Sequence, residues 1–353
     1  MKRFFVFLMI FAVAGFASAA DFQINLPDTG WGLETEVNDK LDSFSSKFRT
    51  FFDKYGAAED ISRGLDNAAA YAADGGYLRS ALDYKFISVS VSTNGSVILD
   101  DSDIDQFLDE YHDRGDVYAG VGLQTITGSV GINMGYLLGM DRGLYLTLKA
   151  GKSSCEAGDI EFDSTLFGFM VNYQLVKPAG NAGFGWNGIN VGAGLTYYSN
   201  DLQWNSEGLG SVSYTWTTGS YERKIRMKPD METNVEISGF VLPVEIITGV
   251  KALCIFDIFA GLGADIMFGG ESTLKYDGYG TVSYDDGTGA GWAAEKGSVS
   301  VSGDVEGDKD NIKFKAIAGL GLALGPVHLE LPVTVYFDET PSCSAGLIGG
   351  ISF

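Results

Sequence analysis

Residues 325 to 338 read GPVHLELPVTVYFD and present two different faces. From Val327 to Phe337 every odd position is apolar, and the even positions between them hold His, Glu, Pro, Thr and Tyr. Successive side chains of a β-strand point to opposite sides, so this segment predicts a strand with one hydrocarbon face and one polar face. The hydrocarbon face must pack either in a soluble core or against lipid.

The first twenty residues have the pattern of a secretory signal peptide. Lys2 and Arg3 precede an apolar run from Phe4 to Phe16, and the small residues at 17–20 offer cleavage positions. We therefore expect residues 1–19 to be removed on export. The rest of the sequence holds no second apolar run long enough to span a bilayer as a helix.

Composition narrows the choice of partners. The formal net charge of -22 argues against nucleic acid and against anionic lipid headgroups. The cysteines Cys155, Cys254 and Cys343 are odd in number and far apart, so they predict no disulfide framework.

Alternation like that of the opening segment recurs between Val117 and the C-terminus. The clearest segments are 132–138, 144–149, 167–175, 189–197, 240–247, 256–268, 313–324 and 344–353. A tilted strand needs ~9–11 residues to cross a bilayer, whereas a soluble sandwich uses strands of about five or six. The polar faces are rich in glycine and hold charges of both signs, as the inside of a barrel does. In lipid only a closed barrel pairs every backbone group of a strand, so we predict an antiparallel transmembrane β-barrel.

Strand number and orientation follow from the connections. Bacterial barrels have an even number of strands, with short periplasmic turns and longer outer loops. If Phe353 ends in the periplasm, the turns at 138–143, 250–253 and 325–326 are periplasmic, and the segments 200–232 and 269–311 are the long outer loops. We favour ten strands, with both long segments as hairpins above the bilayer. Entry of their strands into the membrane would give 12 or 14.

The sequence before the barrel reads differently. Residues 20–83 predict an α-helical segment, with an apolar stripe from Leu33 to Phe51 and a second, alanine-rich helix from about Ala58 to Ala73. We expect this segment to be a plug in the barrel or a periplasmic element. Residues 84–116 predict a short strand and an acidic connector, and residues 117–353 the barrel.

Six charged residues fall on the predicted lumen faces. They are Glu245, Asp257, Asp265, Lys313, Lys315 and Glu330. Glu245 and Asp257 are expected nearly opposite each other across the turn at 250–253, where two carboxylates could select cations. The alternative is that lysines of the lumen, such as Lys149 and Lys315, neutralise the interior.

Neither a catalytic set nor a metal site is predicted. An enzyme needs a nucleophile, a base and an acid that converge, and local spacing brings no serine or cysteine beside His112 or His328. Asp101, Asp103 and Asp105 resemble the start of a calcium loop, but the glycine and the closing glutamate are missing. We therefore predict no catalytic residue, no metal and no cofactor.

The last residues resemble the assembly signal of bacterial outer-membrane proteins. Those proteins commonly end on an aromatic residue preceded by apolar residues at alternate positions, and Phe353, Ile351 and Leu347 match this pattern, with Gly349 as a gap. A helical segment followed by a barrel is similar, as a class, to outer-membrane proteins of spirochaetes. The resemblance implies an outer-membrane location, with membrane lipids and the barrel assembly machinery as partners.

Two functions remain open at the level of sequence. The first is a pore, channel or surface structural protein without catalytic activity. The second is a surface adhesin whose barrel is only an anchor and whose long loops hold an extracellular ligand through the aromatic residues Trp204, Tyr214, Trp216, Tyr276, Tyr279 and Tyr284. A carrier for apolar ligands would need an apolar lumen, which the charged inner face does not provide.

Overall fold

The structure is a computed structural model that describes residues 21–25, 57–80, 86–99, 119–157, 159–180, 183–206, 212–218, 221–253, 255–270, 272–285, 293–306, 312–337 and 342–353. The predicted signal peptide, the helix predicted at 33–52 and the acidic connector lie outside these residues. In the described part of the chain, no helix is long and apolar enough to cross a membrane.

The described elements are mostly strands. The helices are α1 (Ala57–Asp74) and α2 (Met134–Leu137). The strands are β1 (Asp21–Asn25), β2 (Ile87–Leu99), β3 (Ala119–Asn133), β4 (Leu144–Ala157), β5 (Ile160–Val176), β6 (Ala179–Gly180), β7 (Phe184–Ser206), β8 (Val212–Thr218), β9 (Tyr221–Ala252), β10 (Phe256–Phe268), β11 (Ser272–Asp285), β12 (Ala293–Glu306), β13 (Ile312–Leu324), β14 (Val327–Phe337) and β15 (Ser342–Ser352).

Ten of these strands form a closed antiparallel ring. The pairing runs through β2, β3, β4, β5, β7, β9, β10, β13, β14 and β15, and β15 pairs back with β2. Every strand of the ring pairs with both of its neighbours, β3 and β4 through Gly128–Asn133 and Tyr145–Ala150 alone, and such closure is the condition for strands in lipid. The predicted antiparallel barrel with a preceding helix is confirmed.

The ring begins earlier than the sequence predicts. The short strand expected within 84–116 is the thirteen-residue β2, which pairs with β3 on one side and β15 on the other. The barrel therefore includes residues before 117, and β3 is one continuous strand. Residues 92–96 read Ser-Thr-Asn-Gly-Ser, a composition typical of turns, and pairing with both neighbours overrides that local preference.

The connections divide between two ends of the ring. The short connections β3–β4, β5–β7, β9–β10 and β13–β14 lie at one end, with the start of β2 and the end of β15. We call this the short-turn end. The segments predicted as long outer loops lie together at the opposite, long-loop end. There β8, the first part of β9, β11, β12 and β1 pair into an extended sheet beyond the ring.

An apolar band circles the outside of the ring. At its long-loop margin Phe167, Tyr197, Phe240 and Phe268 are direct cross-strand neighbours on four adjacent strands, with successive ring centroids 4.9, 5.2 and 5.7 Å apart. At the short-turn margin the exposed aromatic residues include Phe86, Tyr136, Phe184, Phe256 and Phe353. Between the two margins a tilted strand such as β10 rises about 30 Å, which matches the hydrocarbon core of a bilayer.

Beyond the aromatic row at the long-loop margin, the inward and outward faces of β9 exchange polarity. Within the band, Glu245 of β9 is buried inside and Val244 is exposed outside. Beyond Phe240 the same strand places Glu236 outside and Val235 inside. A face that is apolar toward the outside suits lipid, and a face that is polar toward the outside suits water, so the reversal marks where β9 leaves the membrane.

Candidate functional site: the occupied lumen

The lumen of the barrel is filled by the chain's own N-terminal region. Residues 57–80, which we call the plug, comprise α1 and the six residues that follow it. Ala68 to Ala73 are at most 2% exposed, so every face of this stretch of α1 is buried. Alanine is the best helix former and has the smallest side chain with a Cβ, so an alanine-rich helix fits inside a narrow ring.

Two glycines of β3 allow the helix to lie against the wall. A Cβ atom at Gly120 would overlap the carbonyl of Gly64, and one at Gly122 would overlap the carbonyl of Ala68. Both glycines lie near the long-loop end of β3. Their lack of a side chain therefore sets how closely α1 approaches the barrel.

The part of the plug nearer the long-loop end packs against apolar side chains that point inward from the barrel wall. The cluster includes Ile98, Leu166, Tyr198, Val235, Ile237, Val241, Met267 and Tyr336, from six strands. Tyr71 stacks on Tyr336 with ring centroids 3.7 Å apart, and the hydroxyl of Tyr198 donates a hydrogen bond to Asp66 Oδ1 at 3.1 Å. The plug and the barrel wall thus share one hydrophobic core.

A buried cluster of charges joins the end of α1 to the wall. Lys315 Nζ lies 2.7 Å from Asp74 Oδ2 on the plug and 2.6 Å from Asp265 Oδ1 on β10. The guanidinium of Arg79 lies 3.2 Å from Asp74 Oδ2 and 3.2 Å from Glu245 Oε2. All of these side chains are at most 2% exposed. Each charge has an opposite partner, which offsets the cost of removing it from water.

Side chains of the barrel wall form hydrogen bonds with the last residues of α1 and with the residues that follow it. Glu330 accepts hydrogen bonds from the backbone N–H groups of Arg79 and Ser80 at 2.8 and 3.0 Å, and from the Ser80 hydroxyl at 2.6 Å. Lys149 Nζ donates to the carbonyls of Ala73 and Gly75, both at 2.6 Å, and lies 4.0 Å from the centre of the Tyr77 ring. Lys149 therefore covers two carbonyls at the C-terminus of the helix, and Asn94 Nδ2 donates to a third, that of Ala72.

All six predicted lumen residues are buried inside the ring. Lys315, Asp265, Glu245 and Glu330 contact the plug or each other, as described above. Asp257 accepts a hydrogen bond from Asn187 Nδ2 at 3.3 Å and lies 4.0 Å from Lys251. Lys313 lies opposite Asp265 in the pairing of β13 with β10.

The predicted pairing of Glu245 with Asp257 is wrong. Asp257 lies opposite Lys251, and Glu245 lies opposite Gly263. The turn between β9 and β10 is centred beyond Ala252, so the two carboxylates are separated by six positions of register. The alternative, in which lumen lysines neutralise the carboxylates, agrees with the contacts of Lys315.

Sequence reasoning missed the plug's own charged residues, Asp74 and Arg79. Their signal was present, because Asp74 ends the alanine-rich helix and Arg79 follows it by five residues. The period of the barrel strands carries no information about a partner 241 residues away, which is the separation of Asp74 and Lys315.

Other predicted features can also be placed. His328 Nε2 lies 2.6 Å from the Ser352 hydroxyl, a contact that arises from the pairing of β14 with β15 rather than from sequence spacing. Trp204, expected as an exposed loop aromatic, faces inward and is 8% exposed. The other loop aromatics lie in β8 and β11. Among the described residues, no group of three His, Cys, Asp or Glu side chains could hold a metal ion.

The turns at the short-turn end are joined by a surface ion pair. Lys177 Nζ lies 2.7 Å from Asp141 Oδ1, linking the β3–β4 turn to the segment after β5. The hydrogen bond from Lys177 and its positive charge lower the pKa of the Asp141 carboxyl. The pair is open to solvent, so its contribution to stability is small.

Comparison with solved structures finds weak similarities to bacterial outer-membrane proteins. The translocator domain of the autotransporter NalP from Neisseria meningitidis is 8% identical, with a TM-score of 0.29 over 82% of this chain and 93% of that chain. The toluene transporter TbuX of Ralstonia pickettii is 8% identical, with a TM-score of 0.26 over 85% and 99%. LpxR from Salmonella typhimurium is 11% identical, with a TM-score of 0.27 over 75% and 100%. Similarities this weak carry no information about function.

Sequence comparison gives a firmer result. No curated protein matches the chain. A family model described as Lsa36-like matches residues 21–350. This match extends over the plug, the ring and the extended sheet, and the chain therefore belongs to the Lsa36-like family.

Proposed function

We propose that this protein is a non-catalytic, integral outer-membrane barrel that anchors and displays an extended sheet at the cell surface. In this proposal the lumen is closed by the plug and does not form an open pore. Of the functions expected from the sequence, this one joins the surface structural role with the anchor role.

The occupied lumen is the observation that carries the proposal. A ten-strand barrel encloses little more than its own inward side chains, and here it also holds a helix. Tyr71, Asp74, Tyr77 and Arg79 are each at most 3% exposed, so the plug leaves little room for water beside it. An open channel would require a continuous water path past these residues.

The outer-membrane location rests on features of the chain itself. The apolar band and its two aromatic margins suit a bilayer, and the first twenty residues have the pattern of an export signal. Membrane lipids and the barrel assembly machinery remain the expected partners. The polar outer faces of the strands beyond the aromatic row suit exposure to water, where an extracellular ligand could reach the extended sheet.

A gated channel is the second candidate. The observation that favours it is the cluster of buried charges between plug and wall, because contacts with water can replace these ion pairs when the plug moves. Such a channel would open only when the plug moves.

Planar-bilayer recording separates the two candidates. We expect the folded full-length protein to show no steady conductance, and a variant lacking residues 21–80 to conduct, because its lumen is empty. Heat-modifiable gel migration of both proteins would verify that each has formed a barrel. A steady open conductance of the full-length protein would contradict the closed anchor, and openings triggered by voltage or pH would favour the gated channel.

A further inference from the structure

We propose that the barrel carries its own N-terminus to the long-loop face, so that the chain passes through the lumen from the long-loop end to the short-turn end before β2 begins. The mature N-terminus would then be displayed together with the extended sheet, on the opposite side from Phe353. The inference deepens the proposed surface display and rests on the membrane location proposed above.

The depth of the plug changes steadily along the chain. The contacts that fix it are, in chain order, Gly64 with Gly120, Ala68 with Ser96, Ala72 with Asn94, Gly76 with Ser92, Leu78 with Gly350, Ser80 with Gly321, and Phe86 with Phe353. On β2 the partners move from Ser96 to Ser92, toward the short-turn end, while the chain advances from residue 68 to residue 76. From residue 64 to residue 76 the chain therefore runs in one direction, toward the short-turn end.

The other end of the path is fixed by β1. This strand pairs with Ser298–Ser302 of β12, and β12 in turn pairs with β11. Through β11 the register places Asp21 level with Glu232 of β9, eight positions beyond Phe240 of the aromatic row. The helix α1 also contacts β11 and β12. The chain therefore leaves β1 and enters α1 at the long-loop end.

Threading in this direction has a consequence for assembly. The predicted signal peptide would deliver the chain to the periplasm, whereas β1 lies at the long-loop end of the ring, beyond the aromatic row. The residues before α1 must therefore cross the membrane before the plug takes its place in the lumen. The barrel would then translocate a segment of its own polypeptide, and the plug would occupy the lumen once that segment has crossed.

Cysteine labelling on intact cells tests the location of the N-terminus. The three native cysteines would be replaced by serine, and single cysteines introduced as Asp21→Cys, as Thr288→Cys in the β11–β12 connection, and as Asp141→Cys at the short-turn end. A membrane-impermeant maleimide should label the first two on intact cells and the third only after permeabilisation. Labelling of Asp21→Cys only after permeabilisation, with Thr288→Cys labelled on intact cells, would overturn the proposal.

The same experiment distinguishes failure of the proposed function. If Asp141→Cys is labelled on intact cells and Thr288→Cys is not, the surface display is wrong. The threading is then judged only by whether Asp21→Cys behaves like Thr288→Cys.

Disulfide trapping tests the direction of the plug independently. In the cysteine-free background, Ala68→Cys would be combined with Ser96→Cys or, as the matched control, with Ser88→Cys. Both serines face inward on β2, but they are eight residues apart, about 26 Å along the strand. Oxidation should cross-link only the pair with Ser96. A cross-link with Ser88 in place of Ser96 would reverse the threading and overturn the proposal.

Discussion

At the scale of single residues, Lys315 is the centre of the contact between plug and wall. Its ammonium lies between Asp74 of the plug and Asp265 of β10, with Glu245 Oε2 at 3.9 Å. Buried ion pairs add little net stability compared with apolar residues, but removing one partner leaves an uncompensated charge. The arrangement therefore specifies the depth and rotation of the plug more than it strengthens the barrel.

We predict that Lys315→Met destabilises the protein by about 3–5 kcal/mol, because it leaves buried carboxylates without their cation. A lower midpoint of urea unfolding in detergent would show it. Lys152→Met on the exposed outer face of β4 is the control and should leave the midpoint unchanged. Adding Asp265→Asn should restore part of the loss. A Lys315→Met protein as stable as the native one would contradict the assigned contacts.

The outward face of β14 gives a second prediction at this scale. Leu331 is 53% exposed near the middle of its strand, so Leu331→Arg places a charge near the centre of the bilayer. The expected cost is ~2–4 kcal/mol, measured as the free energy of folding into lipid vesicles. Ser154→Arg, outward on β4 beyond the aromatic row, should cost ~0–1 kcal/mol. Equal costs at the two positions would contradict the assignment of Leu331 to the middle of the apolar band and of Ser154 to the region outside it.

At the scale of elements, the fit between α1 and β3 is the feature most open to test. Gly122 faces inward against the backbone of Ala68, whereas Gly128 on the same strand is exposed on the outer face, and a Cβ there would make only ordinary contact. The two glycines belong to one strand and differ in the face that they occupy. They therefore separate the effect of the plug from the effect of strand propensity.

We predict that Gly122→Leu destabilises the protein by about 1–3 kcal/mol or more, because the side chain displaces α1 from the wall. Gly128→Leu should change stability by less than about 0.5 kcal/mol. The thermal midpoint of the heat-modifiable band measures both. We also expect Gly122→Leu to raise conductance in planar bilayers. Equal tolerance of both substitutions would mean that α1 does not contact β3.

At the scale of the whole molecule, the last residue closes the ring. The Phe353 carbonyl accepts hydrogen bonds from the N–H groups of Phe86 and Ile87 at 2.7 and 3.2 Å, and its own N–H donates to the Ile87 carbonyl at 2.8 Å. The predicted assembly signal is thus also the seam between the first and last strands of the barrel. Its aromatic side chain is 66% exposed at the short-turn margin.

We predict that deletion of Phe353 lowers the amount of barrel in the outer membrane while export across the inner membrane continues. Phe353→Ala keeps the three backbone bonds and removes only the ring, so it tests the side chain alone. If the ring is the signal, both variants should assemble poorly in a fractionation assay. Normal assembly of Phe353→Ala would assign the effect to the seam, and normal assembly of both would contradict the prediction.

The barrel itself followed from the sequence because its cause is local. A strand between lipid and a polar lumen must alternate with period two, and this pattern is visible in the opening segment without knowledge of its neighbours. The exposed odd positions of β14 and its buried even positions follow that pattern over the entire strand. The helix at 57–74 was equally visible in the alanine-rich stripe. Local pattern failed at β2, where residues that read as a turn are held extended by strands on both sides.

By itself the sequence predicted export, and it determined that the strands alternate and that a helix precedes them. Only the tertiary structure decided that residues 57–80 occupy the lumen, which end they enter, and which charges meet there. The physical reason is that a helical stripe requires burial without naming the surface that provides it. Asp74 and Lys315 meet because ring closure brings the wall around the helix, and no spacing along the chain encodes a contact of that range.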